Sequence, residues 1–217
     1  MKTKSTTAVT PQYLRQLDYD EVEVAFENGK IIKKGLSQEV RLCQVQTKRT
    51  VIKRYKSVGF ISSLRILTGL SRPHKSQRIS RFLQKHEIPC PLHPLVVSNW
   101  HLCSACSFLL IEHIPGPTLR DLLSSDSTQA LTEQTAEAAL GTIRALHLLG
   151  LSHGDLHPGN LIVKDETTVH LIDLDNVRRT RSRQQRDVKR FLDAVKKSNQ
   201  NKDLLLDRVQ PLNNTKV

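Results

Sequence analysis

The sequence predicts a mixed α+β protein with two lobes, an antiparallel sheet in the first half and a reduced, mainly helical region in the second. Two alternating runs, Val40–Val45 and Thr50–Tyr55, are joined by Gln46–Arg49, which favours a β-hairpin. Farther along, apolar residues recur at helical spacing after Thr132, a residue type that caps helices. We place the lobes at 1–111 and 112–217.

Other elements of the first lobe follow from periodicity and turn signals. Glu21–Phe26 alternates and predicts a strand, and Asn28-Gly29 predicts a turn. Apolar spacing predicts one helix over Lys75–His86. Three further segments are expected: a basic amphipathic linker or helix at Ser57–Leu70, and strands at Leu92–Val97 and Phe108–Ile111 around a turn at Asn99–His101.

The second lobe is predicted to be built on a helix that starts after Thr132 and closes at Gly150. Its apolar face includes Ala136, Leu140 and Ile143. Shorter helical segments are predicted at Leu119–Leu123, Gln185–Lys197 and Leu204–Leu206.

Composition limits the classes of function. The chain has 217 residues, 38% of them hydrophobic, and a net charge of +12, which favours anionic partners such as phosphorylated lipids, a membrane surface or nucleic acid. Basic clusters at Arg72–Arg81 and Arg178–Arg190 fit such partners, but solvated helix faces look the same. No apolar run approaches the roughly 18–20 residues that span a bilayer. The polar segment Met1–Thr10 lacks a signal-peptide core, so we expect a disordered start, a cytosolic protein and reduced cysteines.

A polar loop after Gly150 carries the residues of chemical interest. Asp155 and Asn160 lie in this loop, and two short apolar runs follow, the second of which leads to Asp173. These runs, Leu161–Val163 and Val169–Ile172, predict a hairpin. Phosphoryl transfer from ATP needs a carboxylate that orients a hydroxyl group, and hard oxygen ligands for Mg²⁺ on the phosphates. The pattern is typical of such a site.

The loop His153–Asn160 resembles the catalytic signature of kinases, with His-Gly-Asp where protein kinases carry His-Arg-Asp. Asp173-Leu174-Asp175 stands where they carry Asp-Phe-Gly. The resemblance implies that Asp155 acts on the acceptor hydroxyl and that Asn160 and Asp173 bind Mg²⁺. Asp175 would assist the metal if the strand continues through it; otherwise it is a surface carboxylate.

The first lobe resembles a nucleotide-binding lobe at three places. Lys53 ends a run that resembles the Val-Ala-Ile-Lys strand, which implies contact with the α- and β-phosphates of ATP. A solvent-facing lysine is the alternative. The turn with Gly35 and Ser37 would cover the phosphates, although one glycine also suits an ordinary hairpin. Glu112–Gly116 resembles the hinge, where the Glu112 carbonyl and the Ile114 amide would bind adenine.

One departure concerns the helix at Lys75–His86. Kinases place a glutamate in this helix to pair with the strand lysine, and this helix contains none. Gln77 is the nearest polar candidate, because Glu87 lies at the far end and Glu39 lies outside the helix.

A closer resemblance, over about residues 30–195, is to the lipopolysaccharide core kinases (Kdo and heptose kinases, WaaP-like). It rests on Val51–Lys56, the basic segment through Arg72, Phe82-Leu83, Ile88–Pro91, Leu171–Arg178 and Asp187–Phe191. It implies a protein-kinase-like fold and an ATP- and Mg²⁺-dependent kinase of an inner-core sugar, peripheral to the cytoplasmic face of the inner membrane in a Gram-negative cell. No nucleic-acid partner is expected. Anionic glycolipid would dock on Arg72, Lys75, Arg78, Arg178, Arg179 and Arg181.

Rival functions stay open. The loop also resembles that of aminoglycoside and choline phosphotransferases, and a RIO-type atypical protein kinase or an ATP-binding pseudokinase would share the site. Only 42 residues follow Asp175, without an Ala-Pro-Glu sequence, which disfavours a conventional protein kinase. Cys103 and Cys106 form a lone C-x-x-C pair; a zinc or redox site would need further partners, so two reduced thiols are expected.

Overall fold

We analysed a computed structural model, which describes residues 2–6, 14, 16–101, 104–124, 130–198 and 201–209. The chain forms two compact units. The first contains Met1–Phe82 and Pro91–His113, and the second contains Leu83–Cys90 and Ile114–Val217. The predicted class is confirmed, because the first unit is built on an antiparallel sheet and the second is mainly helical. None of the helices in the described part of the chain has the length and apolarity to cross a bilayer.

The first unit contains a six-stranded antiparallel sheet in the order β1-β5-β6-β4-β3-β2. Its strands are β1 (Lys2–Thr6), β2 (Lys30–Lys34), β3 (Gln38–Val45), β4 (Lys48–Val58), β5 (Leu95–His101) and β6 (Ser104–Glu112). The predicted β3–β4 hairpin is confirmed. Three predictions about the first unit are wrong, and two of them concern β1 and β5. The polar start forms edge strand β1, which pairs with β5, and Asn99–His101 continues β5 rather than turning.

The segment predicted as a strand at Glu21–Phe26 belongs instead to helix α1 (Tyr19–Glu27). Asp18 caps this helix in a capping box, in which its carboxylate accepts from Glu21 N and the Glu21 carboxylate accepts from Asp18 N. The side chains of Tyr19, Val22 and Phe26 are buried, at helical spacing. The capping pattern was the sequence signal for a helix.

The two faces of the sheet carry separate apolar clusters. Tyr19 and Phe26 of α1 each lie 5.2 Å from the Phe108 ring, on the face that also buries Ile52. The opposite face carries Tyr55 with Val96 and Leu109. Two helices follow β4: α2 (Phe60–Leu67), which contacts β4, β5 and β6, and α3 (Arg72–Lys85), which spans the division between the units.

The second unit is organised around α5, whose predicted cap is confirmed by a bond from Thr135 N to Thr132 Oγ1. Thr142 Oγ1 donates to the Val169 carbonyl at 3.0 Å, which attaches α5 to the predicted and observed hairpin β8–β9. The elements are α4 (Leu119–Leu122), α5 (Glu133–Leu148), β7 (Leu151–Ser152), β8 (Leu161–Asp165), β9 (Thr168–Leu171), β10 (Arg178–Arg179), α6 (Gln184–Lys196) and α7 (Lys202–Val209). Short 3₁₀ helices occupy Pro158–Asn160, Leu174–Asn176 and Arg181–Arg183.

Candidate active site

The loop between β7 and β8 is closed by one internal hydrogen bond and tied to the segment after β9 by two more. Asn160 Nδ2 donates to the Asp155 carbonyl at 2.8 Å, and Ile172 N donates to the Asn160 carbonyl at 3.0 Å. The ring of the buried His153 donates from Nε2 to the Ile172 carbonyl at 2.9 Å. The second unit therefore brings Asp155, Asn160 and the segment that begins at Asp173 together.

Asn160 and Asp173 offer oxygen donors that suit Mg²⁺. Because Asn160 uses Nδ2 in its bond to the loop, its amide is oriented with Oδ1 as the atom left for a cation. Asp173 adopts the left-handed conformation, φ 58° and ψ 58°, which is uncommon for a residue other than glycine. One amide and one carboxylate fit an ion that shares its coordination with phosphates. Within the described residues, no cluster of three His, Cys, Asp or Glu side chains could hold a metal alone.

Asp175 does not take the position that a continued strand would give it. Strand β9 ends at Leu171, and Asp175 lies in the 3₁₀ helix Leu174–Asn176. The condition under which Asp175 would assist the metal, a strand that continues through it, is therefore not met, because the backbone turns at Asp173.

The Asp155 carboxylate is 40% exposed and is held from the side by an arginine of α6. Arg190 NH1 donates to Asp155 Oδ1 and to the Gly154 carbonyl, both at 2.8 Å. The carboxylate therefore keeps part of its surface exposed while one of its oxygens is fixed. From the sequence, Arg190 was named as the end of a basic cluster and within the family resemblance, but was given no role in the site.

His157 lies between Asp155 and Arg120. Burial lowers the pKa of His157, although the nearby Asp155 carboxylate acts to raise it. The neutral ring can accept from Arg120 at Nδ1, 3.2 Å away, so its hydrogen lies on Nε2, which is 4.0 Å from Asp155 Oδ2. Gly159 leaves room for this arginine, because a Cβ there would lie 2.9 Å from Arg120 Cζ.

Asp187 of α6 anchors the start of the catalytic loop. Its side chain is buried, and its two oxygens accept from His153 N at 2.6 Å and Gly154 N at 2.9 Å. Burial acts to raise the pKa of Asp187, but interactions with His147, 3.5 Å away, and with the two amides outweigh it and lower the pKa. A buried anion thus fixes the loop backbone. The available signal was an acidic residue beside the apolar face of an amphipathic helix.

Gly154 explains why this loop reads His-Gly-Asp. It has φ +81°, and a Cβ would lie 2.8 Å from the Asn176 carbonyl oxygen. A side chain at this position would be strained and would strike backbone, so the arginine of the protein-kinase signature cannot be accommodated here.

Lys53 is buried on β4, with 6% of its surface exposed. It pairs in register with Val40 and Leu109, on the face of the sheet opposite α1, and its Nζ lies 5.5 Å from the Tyr55 ring centre. The solvent-facing alternative is therefore wrong. The nucleotide role of Lys53 stays a prediction.

The structure also separates the candidate partners of Lys53. Glu39 is buried on the α1 face, where it binds Arg41 at 2.7 Å and Arg54 at 2.6 Å, so it is engaged elsewhere. Gln77 of α3 is buried, with 3% exposure. The pairing of Gln77 with Lys53 in place of the helix glutamate stays a prediction.

The predicted phosphate-covering turn is a closed hairpin turn between β2 and β3. Gly35 N donates to the Gln38 carbonyl at 2.8 Å, and the Ser37 carbonyl accepts from Lys56 N at 3.0 Å. In the predicted hinge, Leu92 N donates to Glu112 Oε2 at 3.0 Å, and the division between units falls before Ile114. The adenine and phosphate contacts of these four site residues (Gly35, Ser37, Glu112, Ile114) stay predictions.

A comparison with protein families decides the assignment. The model of the lipopolysaccharide kinase (Kdo/WaaP) family matches residues 99–213, just over half of the chain, including the whole catalytic loop. The chain belongs to this family. The resemblance stated from the sequence is therefore confirmed.

Several curated relatives of this Kdo/WaaP-family chain are named as serine/threonine-protein kinases. It is 27% identical to the serine/threonine-protein kinase tricornered of Drosophila melanogaster over 146 residues, which cover 64% of the chain and 28% of that protein. It is 31% identical over 70 residues to the probable serine/threonine-protein kinase PknB of Bifidobacterium longum, covering 30% of the chain and 10% of that protein. The chain spans less than a third of the length of these relatives.

The predicted docking residues of the Kdo/WaaP-family chain lie in both units. On α3, Arg72 and Arg78 are exposed and Lys75 is half-buried. Around β10, the exposed residues are Arg178, Arg179 and Arg181. Their contact with glycolipid stays a prediction. Cys103 lies outside the described residues, and burial raises the pKa of the Cys106 thiol, as expected for an inert reduced cysteine.

Proposed function

We propose that this Kdo/WaaP-family kinase transfers the γ-phosphate of ATP, with Mg²⁺, to a hydroxyl group of Kdo or heptose in the lipopolysaccharide inner core. The reaction takes place at the cytoplasmic face of the inner membrane, where the protein is peripheral. The observation that carries the proposal is the hydrogen-bonded set of Asp155, Asn160 and the Asp173 segment, in a chain that matches the lipopolysaccharide kinase family.

In this reaction Asp155 orients the acceptor hydroxyl and takes its proton as the oxygen attacks the γ-phosphorus and the bond to ADP breaks. Asn160 and Asp173 would hold Mg²⁺, which would neutralise charge on the phosphates. Lys53 of the first unit holds the α- and β-phosphates. Positioning and charge stabilisation supply most of the rate in this class of chemistry, and the hydrogen-bonded loop supports that role.

The surface beside Asp155 supports an anionic acceptor. Arg190, which holds Asp155, also lines a pocket of about 390 Å³ on α6. The other lining residues are Arg186, Lys189, Asp193, Ala194 and Lys197. Four cations and one carboxylate suit a carboxylate or phosphate group on the sugar next to the reacting hydroxyl. Inner-core sugars carry such groups.

The proposal is tested by transfer of radiolabelled γ-phosphate from ATP to purified core glycolipid. We expect labelled glycolipid with the wild-type protein and with Asp165→Ala, an exposed carboxylate on the β8–β9 hairpin, and at least a hundredfold less with Asp155→Ala. No label on the glycolipid, in a preparation that labels a soluble aminoglycoside, would assign the site to a small-molecule phosphotransferase instead.

An ATP-binding module without turnover is a second candidate, favoured by the absence of an acidic residue from α3. Such a protein would gain thermal stability with ATP and Mg²⁺ yet leave every acceptor unlabelled. Single-turnover assays at high enzyme concentration separate the two, because a slow kinase still labels a stoichiometric amount of acceptor.

A further inference from the structure

Helix α2 exposes apolar side chains that the fold does not cover. Phe60 is 62% exposed, Ile61 is 66% exposed and Leu64 is 48% exposed. Leu70, just beyond the helix, is 63% exposed. We call these four residues the α2 patch. Monomeric proteins rarely leave contiguous large apolar side chains in water without a binding role.

The geometry of α2 shows that the exposed residues share one side. At 100° per residue, Phe60, Ile61 and Leu64 fall within an arc of about 100°. Ile66 lies on the opposite side of the helix and is buried. Leu70 N donates to the Arg65 carbonyl at 2.8 Å, so Leu70 stays beside the last turn of the helix. The helix thus packs by one side and presents the other.

Basic residues flank the α2 patch. Residues 57–86 contain six Lys and Arg residues and no Asp or Glu: Arg65, Arg72, Lys75, Arg78, Arg81 and Lys85. All of these except the half-buried Lys75 are exposed. Arg78 NH1 donates to the Gly69 carbonyl at 2.8 Å, which attaches the cationic side of α3 to the turn that carries Leu70.

The positive charge beside the α2 patch favours an anionic membrane over a second copy of the chain as its partner. A symmetric dimer would place the same patch, with its cations, against itself, and like charges at an interface are unfavourable. An anionic lipid surface offers both an apolar phase for the aromatic and aliphatic side chains and headgroups for the arginines.

We propose that the α2 patch inserts its apolar side chains into the interface of an anionic membrane, while Arg65, Arg72 and Arg78 bind lipid headgroups. This inference names the surface that contacts the membrane. Its biological setting rests on the membrane location given in the proposed function. Its physical test needs neither ATP nor an acceptor, so it can fail while the kinase proposal stands, and the reverse also holds.

The first experiment is flotation of the full chain with vesicles of phosphatidylglycerol and phosphatidylethanolamine, compared with phosphatidylcholine alone. We expect binding to the anionic vesicles. The triple variant Phe60→Ser/Ile61→Ser/Leu64→Ser should bind at least about tenfold more weakly, because three apolar side chains no longer enter the interface. Leu148→Ser is the matched control, since Leu148 is 74% exposed at the end of α5, and it should bind like the wild type. Equal binding by the triple variant overturns the proposal.

The contribution of the cations is measured by salt. Raising the salt from about 0.1 M to about 1 M shortens the screening length from ~10 Å to ~3 Å and should weaken wild-type binding. Arg65→Gln/Arg72→Gln/Arg78→Gln should bind more weakly at low salt and show a smaller salt dependence. An unchanged salt dependence in this variant would show that other cations bind the lipid and would overturn the assignment.

A third measurement does not depend on the stability of a triple variant. Phe60→Trp should show fluorescence quenching by brominated lipids beyond that of the wild type, whose single tryptophan is Trp100. No additional quenching overturns the insertion. Equilibrium sedimentation tests the alternative partner, a second copy of the chain. If the wild type is a dimer and the triple serine variant is a monomer, the α2 patch is a dimer interface and the proposal is overturned.

Discussion

The position of Asp155 depends on two residues of α6 that lie more than thirty positions away in the chain. Arg190 fixes one oxygen of its carboxylate, and Asp187 fixes the amides of His153 and Gly154 just before it. The loop therefore has a prepared conformation, and in the proposed reaction the Asp155 carboxylate would not need to be ordered when substrate binds. A substitution at Arg190 or at Asp187 removes one of these contacts without removing the other.

Arg190→Ala should lower kcat by roughly tenfold to a hundredfold and leave the KM for ATP nearly unchanged, because the guanidinium positions Asp155 and contacts no nucleotide-binding candidate. Arg190→Lys should recover part of the rate, since an ammonium group can bind one of the two oxygens. Steady-state kinetics with Lys196→Ala, an exposed cation on the same helix, as control would check this. A loss confined to the KM for ATP would contradict the positioning role.

Asp187→Asn should reduce the free energy of unfolding by about 1–3 kcal/mol, because an amide offers one acceptor oxygen and leaves a buried N–H of the loop without a partner. Urea denaturation measures the loss. Asp193→Asn, an exposed change on the same helix, should have almost no effect. If both variants unfold at the same urea concentration, the anchor is unimportant.

At the scale of elements, α1 is attached to the sheet by an ion-pair cluster around Phe26. The guanidinium groups of Arg41 and Arg54 each lie 4.5 Å from the Phe26 ring centre, and both bind Glu39. Arg41 also donates to the Phe26 and Glu27 carbonyls at the end of the helix. Arginine at a helix C-terminus satisfies carbonyls that lack partners and opposes the negative end of the dipole.

Glu39→Gln should destabilise the first unit by about 2–3 kcal/mol, below the loss expected for a fully isolated charge, because Glu27 still binds both arginines. Burial acts to raise the pKa of Glu39, but hydrogen bonds from Arg41 and Arg54 outweigh it and lower the pKa. The stabilisation is therefore present above the ordinary glutamate pKa and is lost as the pH falls through the folded-state value.

Denaturation of Glu39→Gln at neutral and acid pH tests both statements. The difference from wild type should be largest near neutral pH and should shrink in acid, where Glu39 is protonated in both states. Arg49→Gln, an exposed change at the β3–β4 hairpin, serves as control. A difference that grows on acidification would refute the assigned sign.

At the scale of the whole molecule, three histidines give the stability a shared pH dependence. Burial lowers the pKa values of His74, His153 and His157. The folded protein therefore prefers their neutral forms, while the unfolded chain binds protons at the ordinary pKa near 6.5. Stability should fall as the pH drops below that value, because the unfolded state then binds more protons.

Thermal melts between about pH 7.5 and pH 5.5 should show a falling Tm. His153→Gln should reduce the slope, because glutamine does not titrate and can still donate to the Ile172 carbonyl. A Tm that rises or stays constant across this interval would contradict the linkage.

The sequence by itself determined the local features. The two hairpins and the capped helix α5 were predicted correctly, because turns, caps and periodicity act over a few residues. Where two local signals competed, as at α1, the apolar alternation was followed and the capping box was missed.

Only the tertiary structure decided which distant groups support the site. It assigned Asp187 and Arg190 to the catalytic loop, required glycine at Gly154 because Asn176 packs there, and engaged Glu39 on the face of the sheet away from Lys53. These contacts join residues far apart in the chain or on opposite faces of a strand. They arise from packing of whole elements, which leaves no periodic trace in the sequence.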